Sequence, residues 1–576
     1  MINKIKQLLK ENLEKYYSNK YNTEITFVVE EPKNATLGDI SVPMFSVVKV
    51  LRKPMPEIVA EAVEVINSFD LPILDIKPVG AFVNLFVDKE KLSVEILKEC
   101  ILLDSNFGSS EIGKGKNVTL DYSSPNIAKS FSIGHLRSTM IGNSLKLLHK
   151  KCGFNTFSIN YLGDWGTQFG KMIVAYKKWG NYDDIMTDPI NKLTALYVKF
   201  HQEAEKDPSL EDEAREAFRQ MELNNKEYID LWKWIREESL KESKQIYDLL
   251  EIDFDSYKGE AFYNDKMDSV VEELKKKNLL HEDNGAQIVD LGDDMPPALI
   301  KRSDGGSLYI TRDLAAVFYR KKEYKFDKIL YVVGNEQKLH FNQLKRLIDK
   351  MGYDFSDQIN HVNFGLYLTN GKKASTRQGN VTKLYDVLQT AIKLAYDLIN
   401  TKNPDLKNKE EIAKYVGIAA IVFGDLKNYR GLDVEFNLEQ SVKFEGQTGP
   451  YLQYTGVRIA SILKDKEFDV NNLEKSLFTK PHYFELVKEI SQFKSTIERS
   501  VDELAPSVLA KYLIGLAQSF NKFYSIEKIN VEDEKIRNTN FALAKSVRIV
   551  LNEGLRLLGI HYLEEMWLYV FKEETS

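Results

Sequence analysis

The sequence predicts a multidomain chain: a small α/β N-terminal module, an α/β domain on a doubly wound, Rossmann-like parallel sheet carrying a helical insertion, and an all-α C-terminal bundle. Three observations predict it. From about residue 116, short β-rich apolar runs alternate with helix-periodic segments, the pattern of a parallel sheet whose ligands lie at the carboxyl ends of its strands. A long, charged helical stretch over 188–250, containing Trp232 and Trp234, interrupts that alternation. After Thr382 the strand signals give way to successive amphipathic helices, as in a bundle.

A chain of 576 residues, 43% of them hydrophobic, is too long for one core. The expected boundaries are 1–112 for the N-terminal module, 113–385 for the sheet domain with its insertion at about 180–290, 386–440 for a connecting helical region, and 441–576 for the bundle. In the first module, amphipathic helices are expected at 2–16 and 56–69 and strands at 25–30 and 80–87. In the sheet domain a strand at 118–122 feeds a polar loop and then a helix opened by Gly134. Leu136, Met140, Ile141, Leu145 and Leu148 share one face of that helix, which stops at Gly153. A strand at 362–368 and an Asn370-Gly371 turn lead into the basic loop Lys372-Lys-Ala-Ser-Thr-Arg-Gln-Gly379. Bundle helices are expected at 439–464, 483–499, 506–525 and 538–558.

The segment 117–139 carries the most chemistry. A helix N-terminus presents unsatisfied amides and partial positive charge, so it is an anion site, and Lys129, Ser132 and His135 add donors where this helix begins. Gly134 removes a Cβ where a ligand approaches the backbone. The arrangement calls for a phosphate.

Ser132-Ile133-Gly134-His135 resembles the His-x-Gly-His tetrapeptide of class I aminoacyl-tRNA synthetases, with serine replacing the first histidine. The flanking Ser123-Ser-Pro-Asn-Ile-Ala-Lys129 and Gly134-His-Leu-Arg-Ser-Thr139 resemble the arginyl-tRNA synthetase family in particular. Further blocks follow in that family's order. They are Gly163-Asp-Trp-Gly-Thr-Gln-Phe-Gly170, Tyr309-Ile-Thr-Arg-Asp313, Tyr331-Val-Val-Gly-Asn-Glu-Gln-Lys-Leu-His-Phe-Asn-Gln343, and the basic loop, which stands where class I enzymes carry Lys-Met-Ser-Lys-Ser.

The resemblance implies ATP-dependent activation of L-arginine, with Mg2+ accompanying ATP, and transfer of arginine from the adenylate to the 3'-terminal adenosine of tRNA(Arg), with release of AMP and pyrophosphate. Neither step needs a protein nucleophile, so catalysis is alignment and charge stabilisation. By the same resemblance the catalytic set is Lys129, Ser132, Gly134, His135, Lys373 and Ser375, and ATP meets Ser132, Gly134, His135, His340 and Lys373. For arginine, Asp313 is the expected carboxylate for the guanidinium fork, Tyr309 and Gln337 supply further polar contacts, and Asp121 and Asn126 take the amino end. Such a site rejects lysine and citrulline without an editing domain. The family's appended N-terminal domain touches the tRNA elbow, here through Asn84, with Phe82 and Phe86 read as core. Its anticodon-binding bundle offers Tyr451, Gln453, Tyr454 and Arg458 for stacking and edge contacts.

Structural alternatives accompany these roles: Asp313 as a helix cap or ion pair, Asn126 as a turn residue beside Pro125, the insertion tryptophans and two of the four bundle residues as packing. Ser132 is shorter than histidine, and Thr376 stands where the loop's second lysine is expected; Lys129 can restore that charge. Two cysteines, Cys100 and Cys152, give neither a disulfide framework nor a zinc cluster. No signal peptide and no apolar run of bilayer length is read, so a soluble cytoplasmic protein without membrane partners is expected, and the resemblance suggests a monomer. The net charge of −6 is compatible with a local basic track for RNA. Rival functions are a stand-alone amino-acid ligase, which would lack the bundle, a silent paralogue, for which Ser132 and Ala374 speak, and a synthetase for cysteine or glutamate. Absent zinc-ligand cysteines and an acidic guanidinium pocket weigh against that last pair.

Overall fold

A computed structural model describes residues 2–32, 34–126, 131–302, 309–369, 372–373, 383–435 and 437–565. The chain forms two compact units, Met1–Ser109 with Tyr454–Glu498 and Tyr512–Gly554, and Ser110–Gln453 with Arg499–Lys511 and Leu555–Ser576.

In the first unit, strands β1 (Ile40–Pro43), β2 (Ile73–Val79) and β3 (Phe82–Val87) make an antiparallel sheet in the order β1-β3-β2. Gly80, at φ +58, makes the tight turn between β2 and β3. Val83, Leu85 and Val87 are buried, and helix Met55–Asn67 packs on β2 and β3. The expected strand at 25–30 is absent except for a single bridge from Glu30 to Ser41. Helix Lys89–Leu103 buries Leu92, Ile96, Leu97 and Cys100 and packs against helix Pro481–Ser491. The Cys100 thiol reaches the Ser546 carbonyl at 3.8 Å, and Phe107 stacks on Phe493. Segments expected as separate end domains therefore share one unit, because the apolar face of helix Lys89–Leu103 is covered by distant C-terminal residues rather than by its own module.

The second unit holds the parallel sheet. Strands β4 (Asn117–Asp121) and β5 (Asn155–Ile159) come first, followed by the insertion and an antiparallel meander, β6 (His281–Asp283), β7 (Ala286–Val289) and β8 (Ala298–Lys301). Strands β9 (Lys328–Tyr331) and β10 (Ile359–His361) complete the order β10-β9-β4-β5, all pairs parallel. Asp121 is in register with Ile159 and Tyr331, so three strands end at one level. Helices Tyr309–Tyr324 and Lys338–Lys350 cover the sheet through Leu314, Val317, Leu344, Leu347 and Ile348.

The insertion is three helices, Pro189–Ala204, Ser209–Glu222 and Lys226–Leu250, sharing a core with helix Thr167–Trp179. Trp232 donates its indole N–H to the Asp164 carbonyl at 2.7 Å, and Trp234 packs on Tyr176 and Tyr182, so both tryptophans serve the interior. A small sheet of β11 (Tyr367–Thr369), β12 (Lys372–Lys373) and β13 (Val434–Glu435) follows in the order β12-β11-β13. The strand expected over 362–368 is confined to Tyr367–Thr369; the segment before it is held instead by Arg430, whose guanidinium bonds the Asn363 carbonyl at 2.7 Å. In the helical part, the expected helix at 439–464 is two helices, Leu438–Ser441 and Gly449–Leu463, with Gly446 at φ +76 in the break.

Helix Leu136–Lys151 lies against the residue following β4 so closely that a Cβ on Gly142 would fall 2.2 Å from Tyr122 Cγ. Gly142→Ala is therefore expected to cost about 1–3 kcal/mol through overpacking. Urea unfolding should show a lowered midpoint with an unchanged slope.

Candidate functional site

The site gathers where β4, β9 and β5 end. Immediately after β4, Ser123 and Ser124 both adopt left-handed backbone, φ +69 and +45, a conformation costly for residues with a Cβ. Hydrogen bonds hold them there. Ser123 N–H donates to Ser138 Oγ at 2.9 Å, and Ser124 Oγ donates to Asp121 Oδ1 at 2.8 Å. Asn126 then bridges Gly163, whose missing side chain permits the approach, since a Cβ would lie 3.2 Å from Asn126 Cα. The buried Asn126 Oδ1 has no hydrogen-bond partner among the described residues.

Lys129 lies outside the described residues. Ser132 and His135 meet: Ser132 N–H donates to His135 Nδ1 at 3.1 Å and Ser132 Oγ lies 3.1 Å from the same nitrogen. Acceptance at Nδ1 leaves the ring proton on Nε2. Gly134 is exposed, and among the described residues only Ser132 Oγ, at 3.5 Å, stands near where its Cβ would be. Helix Leu136–Lys151 begins at once after His135.

Helix Tyr309–Tyr324 sets the pocket's acidic side. Asp313 accepts from His340 Nε2 at 2.6 Å, which joins a residue expected at the arginine with one expected at ATP. Burial pushes His340 down, but the hydrogen bond and charge of Asp313 outweigh it and hold the ring above its ordinary 6.5. Tyr309 stands one turn before Asp313 on the same face but is 66% exposed, at the rim rather than the floor. Gln337, in the turn Asn335–Gln337, is also exposed.

Asp121, expected at the substrate's amino end, has both carboxylate oxygens engaged within the protein. Its carboxylate is buried and already engaged, with Ser124 on one oxygen and Arg320 Nη1 2.7 Å from the other. Burial pushes its carboxyl up, while Arg320 and Ser124 pull the other way. Arg320 is fully buried, its guanidinium carbon 4.9, 5.9 and 5.5 Å from the ring centres of Tyr161, Tyr263 and Tyr331. A third carboxylate, Glu260, meets Arg312 at 3.3 Å; burial, opposed by Arg312 and assisted by Asp313 and Asp164, brings it up to about 7. Sequence reasoning missed Arg320, Arg312 and Glu260. The signal for Arg320 was its spacing, seven residues beyond Asp313 on the same helical stripe; Glu260 had none, since it comes from the turn after the insertion.

The backbone of Lys373 pairs with Leu368 across the β11–β12 hairpin, while Ser375 lies outside the described residues. The chain re-enters the described structure at Lys383, which bridges Ser132, and Leu384 N–H donates to the Phe131 carbonyl at 3.0 Å.

The residues expected at RNA separate into two groups. Asn84 is only 2% exposed and accepts from Ser41 Oγ at 2.7 Å, because β3 is the central strand and Ser41 of β1 lies directly across from it. Phe82, read as core, is exposed and meets exposed Phe45 edge to face. On helix Gly449–Leu463, Tyr451, Tyr454 and Arg458 follow the helical repeat and are half-buried. Arg458 donates to Tyr454 OH at 3.2 Å and to Asn521 Oδ1 at 3.0 Å. Gln453 faces elsewhere, 1% exposed, its amide donated to the carbonyls of His561 and Tyr415, so it is buried as Asn84 is.

The family model described as "tRNA synthetases class I (R), catalytic domain" matches residues 98–438, "Arginyl tRNA synthetase N terminal domain" matches 3–87, and "DALR anticodon binding domain" matches 452–566. The "Arginine--tRNA ligase" of Enterococcus faecalis is 49% identical over 544 residues, 94% of this chain and 96% of the relative. That of Pediococcus pentosaceus is 49% identical over 546 residues, 95% and 96% of the two chains. Two solved structures share the fold at 24% identity. The arginyl-tRNA synthetase of Thermus thermophilus has a TM-score of 0.80, covering 97% of this chain and 100% of that one. That of Plasmodium falciparum has a TM-score of 0.79, covering 98% of each.

The His340–Asp313 pair gives a stability signature in pH. A histidine raised by its partner contributes stability that is whole below the ordinary 6.5 and fades as pH rises through its elevated folded value. Thermal midpoints of wild type and His340→Gln should therefore differ most near pH 6, with wild type the higher, and converge as pH rises through the ring's elevated value. A difference independent of pH would mean that the ring acts by packing alone.

Proposed function

Because the chain belongs to the arginyl-tRNA synthetase family, we propose that the pocket at the ends of β4 and β9 takes arginine and that the Ser132–His135 turn takes ATP. The protein is an arginine–tRNA ligase: it activates arginine with ATP and transfers it to tRNA in translation. The observation that supports the residue-level reading is the 2.6 Å contact between Asp313, the carboxylate proposed for the guanidinium, and His340, proposed for the nucleotide.

In the first step the arginine carboxylate attacks the α-phosphate of ATP in line and pyrophosphate leaves. Asp313 receives the guanidinium in a fork and shares its oxygens with His340, while Asn126 Oδ1, a buried acceptor without a partner among the described residues, takes the α-ammonium. Asp121, already engaged, contributes through its fixed charge and not as a direct ligand. Tyr309 and Gln337 close over the substrate from the rim. Ser132 and the Nε2–H of His135 donate to phosphate oxygens, Gly134 leaves room for the nucleotide, and Lys129, Lys373 and Ser375 steady the departing pyrophosphate. Mg2+ enters with ATP as part of the substrate. In the second step the terminal ribose hydroxyl of tRNA(Arg) attacks the adenylate carbonyl and AMP leaves.

For RNA, the exposed Phe45 and Phe82 replace Asn84 as the elbow contact, and Tyr451, Tyr454 and Arg458 serve the anticodon side without Gln453. The enzyme acts as a monomer in the cytoplasm; among the described residues no helix is long and apolar enough to cross a membrane.

Purified protein given ATP, Mg2+, an unfractionated tRNA pool and each of the twenty amino acids in turn should charge tRNA with arginine alone. Asp313→Asn should raise the KM for arginine by about tenfold or more, since the fork loses its charge partner. Lys373→Ala should lower the adenylation rate by about 10- to 100-fold with tRNA affinity retained. Unchanged kinetics in either variant would remove that residue from its role.

A further inference from the structure

Arg137 is the second residue of helix Leu136–Lys151, two positions beyond His135, and the mechanism above does not use it. Its side chain is 1% exposed. Nε donates to Asp425 Oδ1 at 3.0 Å, Nη1 donates to the Leu432 carbonyl at 2.7 Å, and the guanidinium carbon lies 5.6 and 6.0 Å from the ring centres of Tyr367 and Phe364. Asp425 is equally buried, on helix Lys409–Leu426. All of these partners belong to the second unit.

They converge on one element. Tyr367 opens β11, whose next residue, Leu368, pairs with Lys373 on β12. The Leu432 carbonyl lies two residues before β13, which pairs in parallel with β11. The Leu366 amide donates to Asp433 Oδ1 at 2.7 Å, and Val434 N–H donates to the Leu366 carbonyl at 2.9 Å, so β11 and residues 432–434 move as one piece. Arg137 thus joins the start of the nucleotide-binding helix to the hairpin that carries Lys373. A second tie lies at the far end of the same loop, where Lys383 bridges Ser132.

We propose that Arg137 is a positioning residue for adenylation, fixing the β11–β12 hairpin against the helix that begins after His135 so that Lys373 is presented to the phosphates held at Ser132 and His135. The proposal rests on the assignment of Lys373 and of the Ser132–His135 turn to ATP. A planar fork is required: one nitrogen serves Asp425 and another the Leu432 carbonyl, while the guanidinium carbon stays within 6.0 Å of both the Tyr367 and the Phe364 ring centres. Lysine offers one charged nitrogen and cannot make this set.

Two variants separate positioning from folding. Arg137→Lys keeps the charge opposite Asp425 and loses the fork. The double variant Arg137→Met/Asp425→Leu replaces a buried ion pair by apolar groups, a change that often leaves folding intact. In both, arginine-dependent ATP–pyrophosphate exchange in the presence of tRNA should lose about tenfold or more in kcat, because a hairpin displaced by a fraction of an ångström misplaces Lys373. The KM for arginine should stay within about twofold, since no arginine contact is touched. Amide hydrogen exchange should quicken in 364–368 and remain as in wild type in β4 and β9. Full kcat in either folded variant, or a KM for arginine rising as steeply as kcat falls, would overturn the proposal, as would unchanged exchange in 364–368. Lys373→Ala in the same assay tells the two readings apart: if it keeps full kcat while Arg137→Lys loses it, the role of Lys373 falls and the tie between helix and hairpin stands.

Discussion

The buried ion pair between Asp121 and Arg320 is the constraint around which the site is arranged. Taking a carboxylate and a guanidinium out of water costs several kcal/mol for each ion, and removal of one partner from such a pair costs about 3–5 kcal/mol. Asp121 ends β4, the strand flanked by β5 and β9, and Arg320 comes from the helix that also carries Asp313. The pair therefore fixes that helix against the sheet at the level where ligands bind. Tyr161, Tyr263 and Tyr331 surround the guanidinium with ring faces, from the segment after β5, from the turn after the insertion and from β9.

A resident arginine beside the proposed arginine site has a consequence for charge. Each of the three carboxylates gathered there is matched internally before substrate arrives: Asp121 by Arg320, Glu260 by Arg312 and Asp313 by His340. Two of the matching cations are guanidinium groups that stay charged throughout the physiological range. His340 alone can give up its proton there, so of the three pairs only Asp313–His340 changes its charge within that range.

The insertion and the loop hairpin are held to this centre by the same kind of local bond. Asp164, in the Gly-Asp-Trp-Gly turn, receives Trp232 on its carbonyl and Arg236 on its carboxylate, which ties the longest insertion helix to the segment after β5. Arg137 and Asp425 do this for β11. In both places a short motif near the site is fastened by a charged side chain from a sequence-distant helix, so the motif's geometry depends on residues outside the motif.

The sequence by itself determined the order of the modules, the parallel sheet, the helical insertion and bundle, and the family. These follow from periodicity and from contiguous motifs such as Ser132–His135 and Tyr309–Asp313, whose members are neighbours along the chain. It also singled out Asp313 and His340, whose side chains the structure brings into contact. Only the tertiary structure decided which of these side chains touch and which are spent elsewhere. Period-two alternation puts Phe82, Asn84 and Phe86 on one face of β3, but it does not say that Ser41 on the neighbouring strand covers the middle one and leaves Phe82 exposed. Helical spacing sets Gln453 apart from Tyr451, Tyr454 and Arg458, but only packing shows that it bonds the His561 carbonyl. Asp121 carries no sign in the sequence of its partner Arg320, about two hundred residues away in the chain. Pattern in a sequence reports what is local and periodic. Burial and charge pairing are set by contacts between distant segments, and these fix which polar groups still have a bond to give to a substrate.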